Sequence, residues 1–339
     1  MVIPKIGFAC KYIDRPEQVN GIKSTDDCKK YNTGTTTVAW LNRQSVASAE
    51  DKLWALMKQN IYAVKKLVEK VGSLNENCRM VRISSDILPC YTHDNWSHFW
   101  QQADVIRYAE KAFTEVGDIA RRDNVRLSMH PGQFCCIASD SDDVIARSID
   151  ELEYHANIAK WLGFGKSKLD FKINVHLSGR RGVDHFDSTW NKLSPELRNC
   201  LTLENDEYQQ GLDELLVLKD KVGIVLDIHH HFIKDNEYIT STDPRIAQVI
   251  DSWQGQRPTI HYSQSRDEYI NQFSNTMPPM EQLLLTAKKS KLRAHSDFFT
   301  NTAINDWALT HLAWSDIMCE VKSKNIGSQS LYDQWIASK

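Results

Sequence analysis

The sequence lacks a C-x-x-C pair, and its eight cysteines do not follow the close spacing of small disulfide-stabilised proteins. Several lie inside apolar runs that predict strands, so we expect reduced thiols in an intracellular protein. The sequence also has no run of about 18 apolar residues, the length that a bilayer span requires. The N-terminus has no basic region followed by a long apolar stretch. We therefore expect a soluble, cytoplasmic protein that makes no membrane contact.

Nucleotide-binding motifs are absent as well: there is no G-x-G-x-x-G and no G-x-x-x-x-G-K-[ST]. We therefore expect no nucleotide cofactor. Charge of one sign is not in excess, since the net charge is −3. This value does not exclude a nucleic-acid partner, because binding needs only a local basic surface. The 339 residues are 41% hydrophobic and 25% charged, which is typical of a globular protein.

Apolar runs and amphipathic segments alternate along the chain. Eight runs predict strands at residues 3–9, 78–84, 125–130, 171–177, 201–205, 223–228, 258–262 and 317–321. Helical spacing predicts helices at residues 45–71, 104–123, 140–162, 212–222, 246–253, 280–290 and 328–336. This alternation favours a single-domain (β/α)8 TIM barrel over residues 1–339, with a doubly wound open sheet as the alternative. We expect a polar insertion at residues 11–37 and a decorated loop at residues 291–312.

Polar residues of one parity recur on the predicted third to eighth strands. They are Ser128, His130, Asn174, His176, Thr202, Glu204, Asp227, His261 and Glu320. Residues two apart on a strand face the same side, so in a barrel this set would face the lumen. Most of its members end their strands, which places them at the carboxyl-terminal mouth, where TIM-barrel enzymes keep their active sites.

These polar residues predict a metal site. Taken singly, a histidine at a strand end is commonly a hydrogen-bonded structural residue, and Glu204 could merely cap the next turn. Together, so many ionisable groups would be costly to bury unless a cation lay among them. Histidine with carboxylate suits Zn²⁺, Mn²⁺ or Fe²⁺ better than Ca²⁺ or Mg²⁺. Any histidine of the tract 229–231 could point inward, or the tract could be a surface cluster, and His295 is similarly ambiguous.

Six motifs occur in one order along the chain: LSMHPGQF, NVHLSG, LTLENDE, VLDIHHH, RAHSDF and IMCEVKSK. With RISSDILP at residues 82–89, they resemble the UV damage endonucleases from the first strand to the eighth. That family is similar in fold and metal site to endonuclease IV. Both are TIM barrels with a multinuclear metal centre that cut the DNA backbone.

The resemblance implies a ligand set and a metal cluster. The implied ligands are His130, His176, Glu204, Asp227, His230, His261, His295 and Glu320. Glu204 would bridge ions, and the family pattern favours His230 over its two neighbours. The cluster would hold two or three divalent ions, with manganese favoured over zinc, iron or cobalt. Catalytic roles fall to Glu204, Glu320 and Lys322, although a surface salt bridge is the alternative for Lys322.

The resemblance also implies contacts to DNA. Gln133 and Phe134 match a Gln-Tyr pair that probes the duplex at the lesion, with phenylalanine in place of tyrosine, and Phe8 likewise stands where a tyrosine often occurs. Thr259, two residues before His261, replaces a lysine of the family. Phosphate contacts are expected from basic residues that could otherwise form solvated surface: Arg180, Arg181, Lys291 and Arg293.

The function implied is a metal-dependent DNA repair endonuclease. It would nick double-stranded DNA immediately 5′ to bipyrimidine photoproducts, leaving a 3′-hydroxyl and a 5′-phosphate, and act as a monomer. The alternatives are an abasic-site endonuclease of the endonuclease IV kind, a metal-dependent sugar isomerase or epimerase, and a non-catalytic damage-binding protein. An aromatic probe next to Gln133 argues against the isomerase, and a complete ligand set argues against simple binding.

Overall fold

Eight short strands form the centre of the computed structural model, which describes residues 3–273 and 275–339. All pair in parallel. In chain order they are β1 (Ile6–Ala9), β2 (Met80–Arg82), β3 (Arg126–Met129), β4 (Lys172–His176), β5 (Leu201–Glu204), β6 (Gly223–Val225), β7 (Thr259–Tyr262) and β8 (Asp316–Cys319).

The strands are arranged around a barrel in the order β6-β5-β4-β3-β2-β1-β8-β7. The two ends of this order, β6 and β7, meet at an isolated bridge between Asp227 and His261. There the backbone N–H of His261 donates to the carbonyl of Leu226 at 3.0 Å. This is the (β/α)8 TIM barrel that the sequence predicts, and the open-sheet alternative is wrong.

Helices lie between the strands. They are α1 (Asp26–Lys29), α2 (Val38–Leu41), α3 (Val46–Gly72), α4 (Ser97–Trp100), α5 (Ala103–Arg122), α6 (Asp142–Trp161), α7 (Gly182–Trp190), α8 (Pro195–Cys200), α9 (Leu212–Leu216), α10 (Ile228–Asp235), α11 (Pro244–Ser252), α12 (Asp267–Ile270), α13 (Met280–Leu284), α14 (Lys289–Leu292), α15 (Thr302–Thr310) and α16 (Lys324–Ala337). Short 3-10 helices occur at Pro16–Asn20, Glu76–Cys78, Asn271–Phe273 and His311–Ala313. None of these helices, within the described ranges, combines the length and apolar character that crossing a bilayer requires.

The long helices follow from capping and periodicity. Ser45 precedes α3 and its hydroxyl accepts the N–H of Ser48, which satisfies one of the free donors at the helix start. Leu53, Met57 and Val64, spaced by whole turns, are buried on the face of α3 that joins the main apolar core. Ser141 caps α6 in the same way. These amphipathic helices cover the barrel and leave its carboxyl-terminal mouth open for other chemistry.

All eight predicted strands are confirmed, but the end of the sixth is wrong. β6 ends at Val225, and Asp227 caps α10 by accepting the N–H groups of His229 and His230 at 2.8 and 2.7 Å. A carboxylate at this position starts a helix, because the first helical N–H groups have no partner within the helix. The histidine tract therefore lies on a helix and its three side chains point in different directions.

Other predicted boundaries also change. The predicted helix at 212–222 ends at Leu216, and the one at 280–290 is broken into α13 and α14. The insertion at 11–37 contains a 3-10 helix and α1, and Asn325 binds it to the barrel through hydrogen bonds with Ile13 at 2.7 and 2.9 Å. The decorated loop at 291–312 contains α15, which buries Ile304 and Trp307 in the main core. The sequence prediction missed this helix.

Candidate metal centre

Glu204 lies at the centre of the barrel mouth. It ends β5 and its carboxylate is buried. Oε2 lies 3.1 Å from Nε2 of His130, and Oε1 lies 2.8 Å from Nδ1 of His261. Asn174 donates to Oε2 and is itself held by the hydroxyl of Thr202, which donates to its Oδ1 at 2.8 Å. The parity pattern of β4 and β5 therefore brings these polar side chains together, as predicted.

Two groups of ligand atoms meet at this carboxylate. His130, His176 and Glu204 form one group, and Glu204, Asp227, His261 and Glu320 form the other. Within each group the candidate ligand atoms all lie within 4.8 Å of one another. Because Glu204 belongs to both groups and has two oxygens, its geometry suits a bridge between two ions.

Three histidines present the same ring nitrogen to the centre. Nδ1 of His130 lies 2.8 Å from the carbonyl of Pro131, Nδ1 of His230 lies 3.1 Å from that of Asn205, and Nδ1 of His295 lies 2.9 Å from that of Glu320. A carbonyl only accepts, so each Nδ1 carries the proton and donates. In the neutral form of each ring, Nε2 is then the nitrogen left to bind a metal, which is the usual arrangement of a metal-binding histidine.

The helix α10 directs one histidine of the tract 229–231, His230, toward the ligand groups. Nε2 of His230 lies 3.9 Å from Oδ2 of Asp227, and its ring lies 5.5 Å from that of His176. His231 points away, with its two nitrogens 3.0 and 3.1 Å from Asp235 and Glu237. His229 is buried beside a second, smaller cavity. The two ligand groups together contain six of the eight predicted ligands. The remaining two, His230 and His295, lie beside these groups.

The donor chemistry fits a divalent cation. Oδ2 of Asp227 and Nδ1 of His176 are buried and have no hydrogen-bond partner among the described residues. Buried polar atoms are normally paired, so unpaired atoms within a cluster of histidines and carboxylates fit the binding of a cation. The set contains nitrogen and oxygen donors of the kind that Zn²⁺, Mn²⁺ and Fe²⁺ bind.

Proton affinities in the cluster depend on burial and mutual charge. Burial raises the pKa of Asp227 to about 8, and the neighbouring carboxylates add to this shift. Burial lowers the pKa of His230, but Asp227, Glu204 and Glu207 outweigh it and raise that pKa to about 9. Burial would raise the pKa of Glu204, yet His261 and His176 hold it well below its usual value. Without a metal the cluster therefore carries protons near neutral pH.

Two cations that the sequence analysis missed also contact the ligands. Arg82, at the end of β2, donates to Oε1 of Glu320. Lys172 is buried on β4 and its Nζ lies 2.7 Å from Nε2 of His261. Lys172 precedes Asn174 by two residues, so the parity pattern could have identified it. Thr259, which stands where the family has a lysine, is buried. The amine that lies next to His261 belongs to Lys172 on β4.

A cavity of about 520 Å³ opens above the cluster. Its lining includes His130, His176, His230 and Gln133. Next to Gln133, on the loop after β3, the side chain of Phe134 is 70% exposed. Gln133 therefore lies at the mouth, and Phe134 is exposed to solvent beside it; their predicted role as a lesion probe stays a prediction.

Phe8 does not share this position. It lies within β1, is 1% exposed and packs edge-on against Tyr12 with ring centroids 6.1 Å apart. The prediction of a lesion probe at Phe8 is therefore wrong for this structure, because a side chain inside the apolar core cannot touch DNA. The strand is buried on both faces, which parity alone did not reveal.

The predicted basic contacts differ in their surroundings. Arg293 lines the cavity and binds Glu207 at 2.7 Å. Arg181 binds Asp142 at 2.6 Å, and Arg180 and Lys291 are exposed. Nζ of Lys322 lies 2.6 Å from Oδ1 of Asp297. Lys322 thus forms the surface salt bridge that the sequence left open as the alternative to a role at the phosphate.

A family model described as UV-endonuclease UvdE matches residues 17–329. The chain belongs to this family. A UV DNA damage endonuclease of Clostridium perfringens (strain 13 / Type A) is 30% identical over 68% of the chain and 57% of the relative. A UV-damage endonuclease of Schizosaccharomyces pombe is 28% identical over 78% of the chain and 43% of the relative. The chain thus spans about half the length of these two relatives. A UV DNA damage endonuclease of Bacillus cereus (strain B4264), 25% identical, is matched over 91% of the chain and 90% of its own length.

Solved structures support the fold of this UvdE family member. The crystal structure of SacUVDE matches with a TM-score of 0.73 at 20% identity and covers 99% of both chains. Endonuclease IV from Thermus thermophilus matches with a TM-score of 0.50 at 12% identity, over 81% of this chain and 95% of the other. At these identities the likeness concerns the barrel architecture.

Removing the shared carboxylate should empty both ligand groups. We expect Glu204→Ala to abolish Mn²⁺ binding, whereas His176→Ala, which affects one group, should lose only part of the bound metal. Metal content after dialysis against Mn²⁺, measured by mass spectrometry of the elements, checks this. His98→Ala, at an exposed histidine, is the matched control and should bind as much Mn²⁺ as the wild type. Retention of an ion by Glu204→Ala would contradict a shared ligand.

Metal uptake should release protons. The raised pKa values of Asp227 and His230 mean that this pair holds at least one proton near neutral pH in the metal-free protein, and a ligand must lose its proton to bind. Mn²⁺ affinity should therefore rise between pH 6 and 8, by about tenfold per pH unit for each proton displaced. Titration calorimetry in two buffers of different ionisation enthalpy measures both quantities. An affinity that stays constant over this range would rule out the proton exchange.

Proposed function

We propose that this protein is a metal-dependent endonuclease that nicks double-stranded DNA immediately 5′ to bipyrimidine photoproducts, leaving a 3′-hydroxyl and a 5′-phosphate. It would act in the cytoplasm as a single-domain monomer with two or three divalent ions, of which manganese fits the proposal best. The observation that carries the proposal is the shared carboxylate Glu204 below a cavity lined by Gln133, next to which Phe134 is exposed. Family membership supports the same activity.

Each part of the site has a distinct task in this proposal. Bound divalent ions would supply neutralisation of phosphate charge and Lewis-acid activation for hydrolysis of the phosphodiester bond. His130, His230 and His295 would hold the ions through Nε2, and His176, Asp227, His261 and Glu320 would complete the set. Asn174 orients Glu204, and Arg82 holds Glu320. The protein then needs no nucleophile of its own.

Gln133 and Phe134 would recognise the photoproduct. A photoproduct weakens stacking and pairing, so the bases at a lesion turn out of the duplex at lower cost than normal bases. Phe134 offers an apolar face that could occupy the space they leave, and Gln133 beside it can donate and accept hydrogen bonds. The hydroxyl of a tyrosine is absent here, so stacking is the contribution we assign to Phe134.

The decisive test uses supercoiled plasmid with Mn²⁺. The protein is incubated with plasmid that is untreated, UV-irradiated or depurinated, and conversion to the nicked circle is followed on gels. We expect nicking of the irradiated plasmid and a 3′-hydroxyl at the nick, shown by extension with a polymerase. Nicking of no plasmid would refute the nuclease, and nicking of depurinated plasmid alone would favour the abasic-site endonuclease.

Phe134→Ala should separate recognition from metal binding. We expect unchanged metal content and a preference for irradiated over untreated DNA reduced by about tenfold, since one aromatic stack on a base contributes about 1–3 kcal/mol. His130→Ala should instead lose metal and cleavage together. Val217→Ala, at a side chain of similar exposure, 67%, that follows α9, is the matched control. Equal loss of metal in Phe134→Ala and His130→Ala would refute this division of roles.

A further inference from the structure

Tyr208 has no role in the metal centre or in the proposed lesion probe. It follows β5 at a distance of four residues from Glu204, and its side chain is 57% exposed. It lines the same cavity as Gln133 and His230. Isolated exposed tyrosines are common on protein surfaces, so the exposure alone indicates nothing. The surroundings of this one are unusual in two respects.

First, the backbone that carries Tyr208 is tied down. The carboxylate of Asp206 accepts the N–H groups of Tyr208 and Gln209 at 2.7 and 2.5 Å. The amide oxygen of Gln209 accepts the N–H of Gly179 at 2.6 Å, and its backbone carbonyl accepts from Lys234 at 2.9 Å. The loop is thereby joined to the loop after β4 and to α10. An exposed ring on a fixed loop loses little entropy when a ligand stacks on it.

Second, a cation already stacks on the ring. The guanidinium carbon of Arg293 lies 4.9 Å from the ring centroid of Tyr208. Nη1 of Arg293 binds Oε1 of Glu207 at 2.7 Å, and Oε2 of Glu207 lies 3.8 Å from Nε2 of His230. A planar guanidinium held at both its face and its edge is pre-organised for stacking. A chain of contacts therefore runs from the ring to the metal ligands.

We propose that Tyr208 and Arg293 form a stacking platform for a nucleobase of the strand that is cut. The inference rests on the proposed function, because it assigns part of the same DNA to the same cavity. A base is the fitting ligand, since every base has a π-face that stacks on aromatic rings and on arginine, independently of its sequence.

The stacking platform lies close to the candidate metal ligands. Glu207 lies between Arg293 and the ligand His230, so a base stacked there holds its own backbone close to the two ligand groups. Phe134 and Tyr208 extend from loops that follow β3 and β5, on either side of β4. The platform would thus position the cut strand, while the probe tests the duplex. Holding the strand close to the reacting groups contributes to rate as well as to affinity.

The test measures binding separately from cleavage. A fluorescently labelled duplex with one bipyrimidine photoproduct is titrated with protein in Ca²⁺, and the Kd is obtained from anisotropy. We expect Tyr208→Ala to raise the Kd about 5- to 150-fold, the range for loss of one base–aromatic stack, with unchanged metal content. Tyr208→Phe should bind within about twofold of the wild type, because the ring and not the hydroxyl makes the contact.

Two controls sharpen the result. Tyr62 on α3 is 54% exposed and lies outside the cavity, so Tyr62→Ala should leave the Kd unchanged. Arg293→Lys keeps the charge and loses the planar group, and we expect it to weaken binding at unchanged salt dependence. A Kd for Tyr208→Ala equal to that of the wild type overturns the platform, as does equal weakening by Tyr208→Phe and Tyr208→Ala.

The outcomes for the two proposals are distinguishable. If the wild type nicks irradiated plasmid and Tyr208→Ala binds the lesion duplex normally, only the platform fails. If the wild type nicks no plasmid, the proposed function fails, and the comparison of Kd values between Tyr208→Ala and the wild type still decides whether the ring contacts DNA.

Discussion

The site depends on one buried anion, the carboxylate of Glu204. An ionised carboxylate inside a protein is costly unless positive or donating groups surround it. Here Asn174 donates to it and His130 and His261 lie within 3.1 Å of it. These partners lie on β4 and β7 and directly after β3, so the charge can be accommodated only once distant parts of the chain have come together. The same demand for positive charge makes the barrel mouth a place for metal ions.

The architecture separates the chemistry from the recognition. Most of the candidate ligands lie on strands or directly after them, as His176 and Glu204 do at the ends of β4 and β5, whereas His230 lies on α10. Tyr208 and Phe134, on the loops that follow, are exposed; Tyr208 lines the cavity, and Phe134 lies next to Gln133, which also lines it. A TIM barrel thereby allows substrate specificity to change through its loops while the ligand geometry stays fixed by the sheet.

Sequence reasoning succeeded where local pattern determines structure. The alternation of polar and apolar residues on β4 and β5 located His176 and Glu204, because a strand has a period of two. It did not give the direction of the tract 229–231, since this depends on where α10 begins, and Asp227 sets that start through hydrogen bonds. The prediction of a lesion probe at Phe8 was wrong because the burial of a strand residue depends on what packs against the strand. Tyr208 and Arg293 meet only in three dimensions, so no pattern along the chain could have paired them.

The seam of the barrel carries a further consequence. β6 and β7 meet at the bridge between Asp227 and His261, and both residues belong to the ligand group around Glu204. An ion held by this pair would connect β6 and β7, the two ends of the strand order. Binding of the metal would then also stabilise the contact between β6 and β7, so the candidate metal centre would contribute to the stability of the fold.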